Sequence, residues 1–146
     1  MSRGFQFIEN VAHADMAFDA WGDTPSELFM AAGEALLNLM ADPFTVGSQW
    51  SHEVRLTQAS LDELLFEWLS TLVFLKDAEA VVYHEIKADV EEDLDSHTWH
   101  IRGMVFGDQI DGKIQELRSD VKAITKHLYE VHAELGKYQA RVVVDV

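Results

Sequence analysis

The chain has 146 residues, 48% apolar and 10% aromatic, with 11 lysines and arginines against 26 aspartates and glutamates and no cysteine. A chain of this length predicts one domain, residues 1–146, burying roughly 70% of the surface its unfolded form exposes. The formal net charge of -15 excludes a reader of phosphate backbones, whose affinity comes mostly from counterions released by Lys and Arg, and the missing thiols exclude a disulfide framework, a thiolate metal site and a cysteine nucleophile.

The N-terminal run MSRGFQFIENVAHADM interleaves its apolar residues with Arg3, Gln6, Glu9 and Asn10, unlike a signal peptide. No uninterrupted apolar run of about 18 residues follows, so no membrane span is predicted and a cytoplasmic protein is expected. FQFIE and MAFDAW alternate with period two and read as strands, with a turn at Gly22. In TPSELFMAAGEALLNLM, Thr24 can cap, Pro25 takes the first helical position and Glu27 completes a capping box. The stripe Leu28, Ala32, Leu36, Leu39 follows at helical spacing, and Asp42-Pro43 ends it. After the strand HEVRLT, SLDELLFEWLSTLVFLK repeats the box with Ser60 and Glu63. Its stripe, Leu61, Leu64, Leu65, Trp68, Leu69, Leu72 and Val73, is too wide to stay exposed.

Strand periodicity returns in VVYHEIKADV, WHIRGMVF, DVKAIT, LYEVHA and YQARVVVDV, with turns at Gly107, Gly112 and Gly136 and a hairpin in ELGKY. Strands arriving in runs predict an α+β fold, a mainly antiparallel β-sheet with two packed α-helices. The acidic stretch DVEEDLDSH is a strand end or loop; it lacks the glycine and terminal glutamate of an EF-hand.

Familiar catalytic motifs are absent: neither G-x-S-x-G, GxGxxG, a Walker A loop nor H-E-x-x-H occurs. His97 and His100 would face opposite sides of a strand, a poor start for a shared zinc. His13, His52, His84, His127 and His132 are scattered. Three polar residues instead stand against apolar strands: Asp15 before MAFDAW, Lys122 inside DVKAIT, and Asp145 inside VVVDV, one residue from the end. Two carboxylates about 4 Å apart repel by roughly 4 kcal/mol at an effective dielectric near 20, so a proton, a lysine or a metal must lie between them. All-oxygen ligation suits calcium or magnesium. The competing account is an ion pair of Lys122 with Asp15 or Asp145 that ties the last strand to the sheet. An acidic surface also favours cationic partners, a basic protein among them, although acidity that merely aids solubility has the same composition.

VAHADMAFDAWGDTPSELFMAAGEALLNLM, DELLFEWLSTLVFL, DVKAITKHL and ARVVVDV, in that order across nearly the whole chain, resemble the archease family. The resemblance implies an archease-like fold and an accessory protein, not itself a catalyst, that activates a tRNA-splicing RNA ligase joining 3′-phosphate and 5′-hydroxyl ends. It would help that ligase acquire its guanylate and turn over repeatedly. It further implies a divalent metal, calcium before magnesium, held by Asp15 and Asp145 near the Val146 carboxylate, with Lys122 needed for activation. The family's His-Thr before the first of these aspartates is replaced by Ala12-His13, which removes that histidine's side chain, while Asp120 stands where an acidic residue commonly precedes Val-Lys-Ala. Two other classes remain in view, a stand-alone metal-dependent hydrolase and a general chaperone or adaptor.

Overall fold

The computed structural model describes residues 3–9 and 15–146. Seven strands and two α-helices follow one another as β1 (Gly4–Ile8), β2 (Asp15–Gly22), α1 (Pro25–Met40), β3 (Trp50–Gln58), α2 (Leu61–Glu79), β4 (Val81–Asp93), β5 (Thr98–Gln109), β6 (Ala123–Glu134) and β7 (Lys137–Asp145), with a short 3₁₀ turn over Pro43–Thr45. The strands form two sheets, ordered β1-β2-β7-β6 and β3-β5-β4, and every pairing is antiparallel. This is the α+β architecture that the two periodicities predict.

Both helices start where their capping boxes put them. Thr24 Oγ1 accepts from the Glu27 N–H at 3.1 Å, and Glu27 Oε1 accepts from the Asp23 N–H at 2.8 Å. Ser60 Oγ accepts from the Glu63 N–H at 3.3 Å and donates to Glu63 Oε1 at 2.8 Å. Each box satisfies amide groups that the first helical turn leaves without partners. Every residue of the two predicted stripes is buried. Helix α1 packs on β1, β2, β7 and β4, and α2 on β3, β4, β5 and β6, so each helix bridges the two sheets. This explains why α1 is buried nearly all round, with Ala31, Ala32 and Ala35 giving close approach on faces that a one-sided helix would leave polar. Trp68, fully buried, joins the helices by donating from Nε1 to the Phe29 carbonyl at 3.1 Å.

Three local expectations change. DVKAIT and LYEVHA are one strand, β6, and it begins at Ala123, so Asp120, Val121 and Lys122 lie in the loop before it. Within β6 the register jumps: Thr125 faces Val143 and Glu130 faces Arg141, leaving Lys126 to Tyr129 opposite Val142 alone. Contacts with α2 hold the bulge: Tyr129 Oη donates to the Asp62 backbone carbonyl at 2.6 Å, and Lys126 Nζ stands 4.0 Å from the centre of the Phe66 ring. Gly107 is no turn. It sits inside β5 opposite Tyr83, where β4 has its own bulge before Glu85, and a Cβ there would run into the Val82 carbonyl oxygen. The Gly136 hairpin is as expected, with Gly136 at φ 78° between Glu134 and Lys137, which pair across it.

Candidate functional site

β7 is an inner strand, hydrogen-bonded to β2 on one side and β6 on the other. That is what carries strand geometry to the end of the chain: Val142, Val143 and Val144 are buried, and Val146 packs partly buried on the core. The registers then assemble the predicted residues. Asp15, the first residue of β2, is directly opposite Asp145. On the far side Asp145 is opposite Ala123, and its carbonyl accepts from the Lys122 N–H at 2.8 Å. Residues directly opposite in an antiparallel pair point to the same face with Cβ atoms about 5 Å apart, so the two carboxylates share one face. Asp15, Asp145 and Val146 are half-buried and Lys122 is exposed.

Among the described residues no ion pair joins Lys122 to Asp15 or Asp145 within 4.0 Å, and no three His, Asp or Glu side chains converge as a metal site. The acidic groups that the register brings together are therefore two side-chain carboxylates. The carboxylate atoms are oxygen, the ligand type that a hard divalent cation takes. His97 occupies a turn at φ 55° and His100 lies in β5, its Nδ1 2.8 Å from Thr57 Oγ1. The block before Asp15, with Ala12 and His13, lies outside the described residues.

Beside Lys122 the structure adds a group that the sequence reading passes over. Lys76, at the end of α2, is 4% exposed, and its Nζ lies 2.8 Å from Asp77 Oδ1 and 2.8 Å from Asp120 Oδ1. Burial pulls the Lys76 pKa down, but the hydrogen bonds to Asp120 and Asp77 outweigh it and the net direction is upward. The hydrogen bond from Lys76 in turn holds the Asp120 carboxyl below its usual range. The clue is present in the sequence: Lys76 continues Leu69 and Leu72 along the buried stripe, a charge on the core side of a helix.

The molecule is a two-sheet α+β protein whose terminal strand is internal and whose acidic site joins that strand to the one beginning at Asp15. The chain belongs to the archease family: it matches the Archease protein family (MTH1598/TM1083) over residues 5–146. It is 32% identical to the protein archease of Methanothermobacter thermautotrophicus over 144 residues, covering 99% of each chain. It is also 32% identical to the protein archease of Methanopyrus kandleri, over 94% of this chain and 98% of that one. Its fold matches the solution structure of Methanobacterium thermoautotrophicum protein 1598 with a TM-score of 0.79 at 31% identity, over 98% of this chain and 99% of that one. A crystal structure from Thermotoga maritima, named an archease and possible chaperone, matches with a TM-score of 0.61 at 15% identity over 97% and 98% of the two chains, a likeness of fold alone. These names describe proteins rather than catalysed reactions. No helix among the described residues is long and apolar enough to cross a membrane.

Proposed function

We propose that this chain is an accessory protein that activates a tRNA-splicing RNA ligase of the kind joining 3′-phosphate and 5′-hydroxyl RNA ends, acting by contact with the ligase and not by turnover of its own. One observation carries the reading: the sheet register sets Asp15 and Asp145 opposite each other, with Lys122 hydrogen-bonded to the same strand end. Two carboxylates in that relation are a cost to the fold unless a cation uses them. Membership of the archease family supports the accessory-protein reading.

Asp15, Asp145 and the Val146 carboxylate would hold the divalent cation, calcium or magnesium, which when bound supplies a Lewis-acid centre able to polarise phosphoryl oxygens. The chain's own part is positional. The β2-β7 register holds the carboxylates on one face, the inner-strand placement of β7 keeps the terminus from fraying, and the Lys122 amide anchors the loop beside them. The Lys122 ammonium, exposed at the edge of the site, is free to meet an anionic group on the ligase or its bound nucleotide.

A multiple-turnover RNA-joining assay with the cognate ligase, GTP and metal tests this directly. Wild-type protein is expected to raise the number of turnovers, and Asp145→Ala to abolish the gain. Ligation indifferent to the wild-type chain sinks the activator reading; equal activation by the variant sinks the acidic site. A chaperone role is the second reading, favoured by large apolar side chains on the surface such as Phe44, 92% exposed, and Phe74, 66% exposed. It predicts that aggregation of unrelated clients is suppressed equally by wild type and Asp145→Ala.

A further inference from the structure

Lys76 is a buried charge at a place where a methionine would fill the core equally well. Its side chain is 5% exposed, while the Asp77 and Asp120 side chains that pair it are 63% and 77% exposed. Taking an ammonium out of water costs several kcal/mol before pairing, and carboxylates that stay in water return little of it. An apolar side chain of the same volume would therefore support the fold as well. What the ammonium supplies and methionine cannot is a fixed point inside the molecule to which an outer residue is bonded.

The two partners differ in what they are attached to. Asp77 is the next residue of α2, and the helix already places it. Asp120 is 44 residues further along the chain, in the loop that leads into β6. The backbone of that loop is bonded on either side of Asp120. The Arg118 and Ser119 N–H groups bond the Met40 and Leu39 carbonyls, each at 2.8 Å, and the Lys122 N–H bonds the Asp145 carbonyl at 2.8 Å. Between these ties only side chains hold the loop: Val121 is fully buried, and Asp120 Oδ1 accepts from Lys76 Nζ at 2.8 Å. A charge-assisted hydrogen bond, roughly twice as strong as a neutral one, thus ends two residues before Lys122.

We propose that Lys76 is a positioning residue: from inside the fold it fixes Asp120, and through Asp120 the end of the loop that sets Lys122 against Asp145. Lys76 touches neither Asp15 nor Asp145 and acts only through the loop. Residues one step behind a working group commonly matter to it by tenfold or more, because they decide where that group stands. The consequence for ligation rests on the ligase-activator reading; the consequence for the Lys122 amide stands without it.

Amide hydrogen exchange of the whole chain, read residue by residue by NMR, tests the placement, and the multiple-turnover joining assay with the cognate ligase tests its use. Lys76→Met, Asp120→Ala and Asp77→Ala are compared with wild type, their melting temperatures verifying that each is folded. Should Lys76→Met not fold, Asp120→Ala decides alone, since its position is exposed. Exchange at the Lys122 amide should quicken by about tenfold in Lys76→Met and Asp120→Ala and stay near wild type in Asp77→Ala, which removes a partner of the same ammonium but no part of the loop. Stimulated ligase turnover should fall by about tenfold in the first two variants. Wild-type exchange at Lys122 in folded Lys76→Met and Asp120→Ala overturns the proposal. So does an equal quickening in Asp77→Ala, which marks the cluster as general reinforcement of α2. Quickened exchange with full activation overturns the use of the placement in ligation. A wild-type chain that leaves ligation unchanged overturns the activator reading instead, and the exchange contrast then decides the role of Lys76 by itself.

Discussion

A methyl group at position 107 has nowhere to go, because the atom in its way is the Val82 carbonyl oxygen of a paired strand and not a side chain that can turn aside. Gly107→Ala is therefore expected to lower stability by about 2–3 kcal/mol, read from urea unfolding; a change within experimental error would show that the bulge at Tyr83 relaxes freely. Lys76 offers a sharper contrast, since its charge is buried and those of its partners are not. Removing both acids, by Asp77→Ala with Asp120→Ala, leaves a buried ammonium without a counter-charge and should cost about 3 kcal/mol. Lys76→Met keeps the volume and leaves two carboxylates in water, so its stability should stay within about 1 kcal/mol of wild type. Equal losses in the two variants would contradict this account of the cluster.

Helix starts and strand registers carry the next set of consequences. Ser60 satisfies an amide of the first turn of α2, and Ser60→Ala should lower stability by about 1 kcal/mol. The β2-β7 register opposes Asp15 to Asp145, and like charges directly opposite each other weaken a sheet. Asp145→Asn is therefore expected to stabilise the metal-free protein by about 0.2–1 kcal/mol. Millimolar calcium should raise the melting temperature of the wild type and not of this variant. A wild type that melts identically in calcium and in chelator would remove the metal from the proposal.

Charge and pH act on the molecule as a unit. With a net charge of -15, association with a basic partner should slow several-fold between about 50 and 300 mM salt, as screening shortens the range of attraction; stopped-flow mixing measures it. Burial raises the Tyr83 and Tyr129 pKa values above the ordinary 10.0, and carboxylate contacts raise that of Lys76 above 10.5. The signs agree. An unfolded tyrosine ionises, and an unfolded lysine discharges, before its folded counterpart, so these groups favour the fold fully below about pH 10 and lose their contribution as pH rises above it. Asp120, depressed by Lys76, adds stability above about pH 4 that disappears as pH falls through its folded value. Thermal midpoints should thus hold level from about pH 5 to 9 with respect to these groups and fall above about pH 10, with Tyr83→Phe making the alkaline limb shallower.

Local signals were enough for the elements. Capping boxes, buried stripes and two-residue alternation located both helices and the strands, because each depends on neighbours within a few positions. They failed where a distant surface intervened: at Gly107, which answers to the carbonyl of another strand, and at the β6 bulge, drawn out by contacts with α2. Of the candidate site, Asp15, Lys122 and Asp145 were legible as polar residues beside dry strands, while Lys76 was a helical stripe position passed over. Their juxtaposition was not legible, since pairing Asp15 with Asp145 spans nearly the whole chain and follows from β7 closing between β2 and β6. Composition and short-range pattern established an acidic α+β chain with three polar residues of interest. Long-range strand pairing brought those three together around the end of β7, because burying a run of valines on both faces requires an inner position in the sheet, and that position fixes what stands opposite the last aspartate.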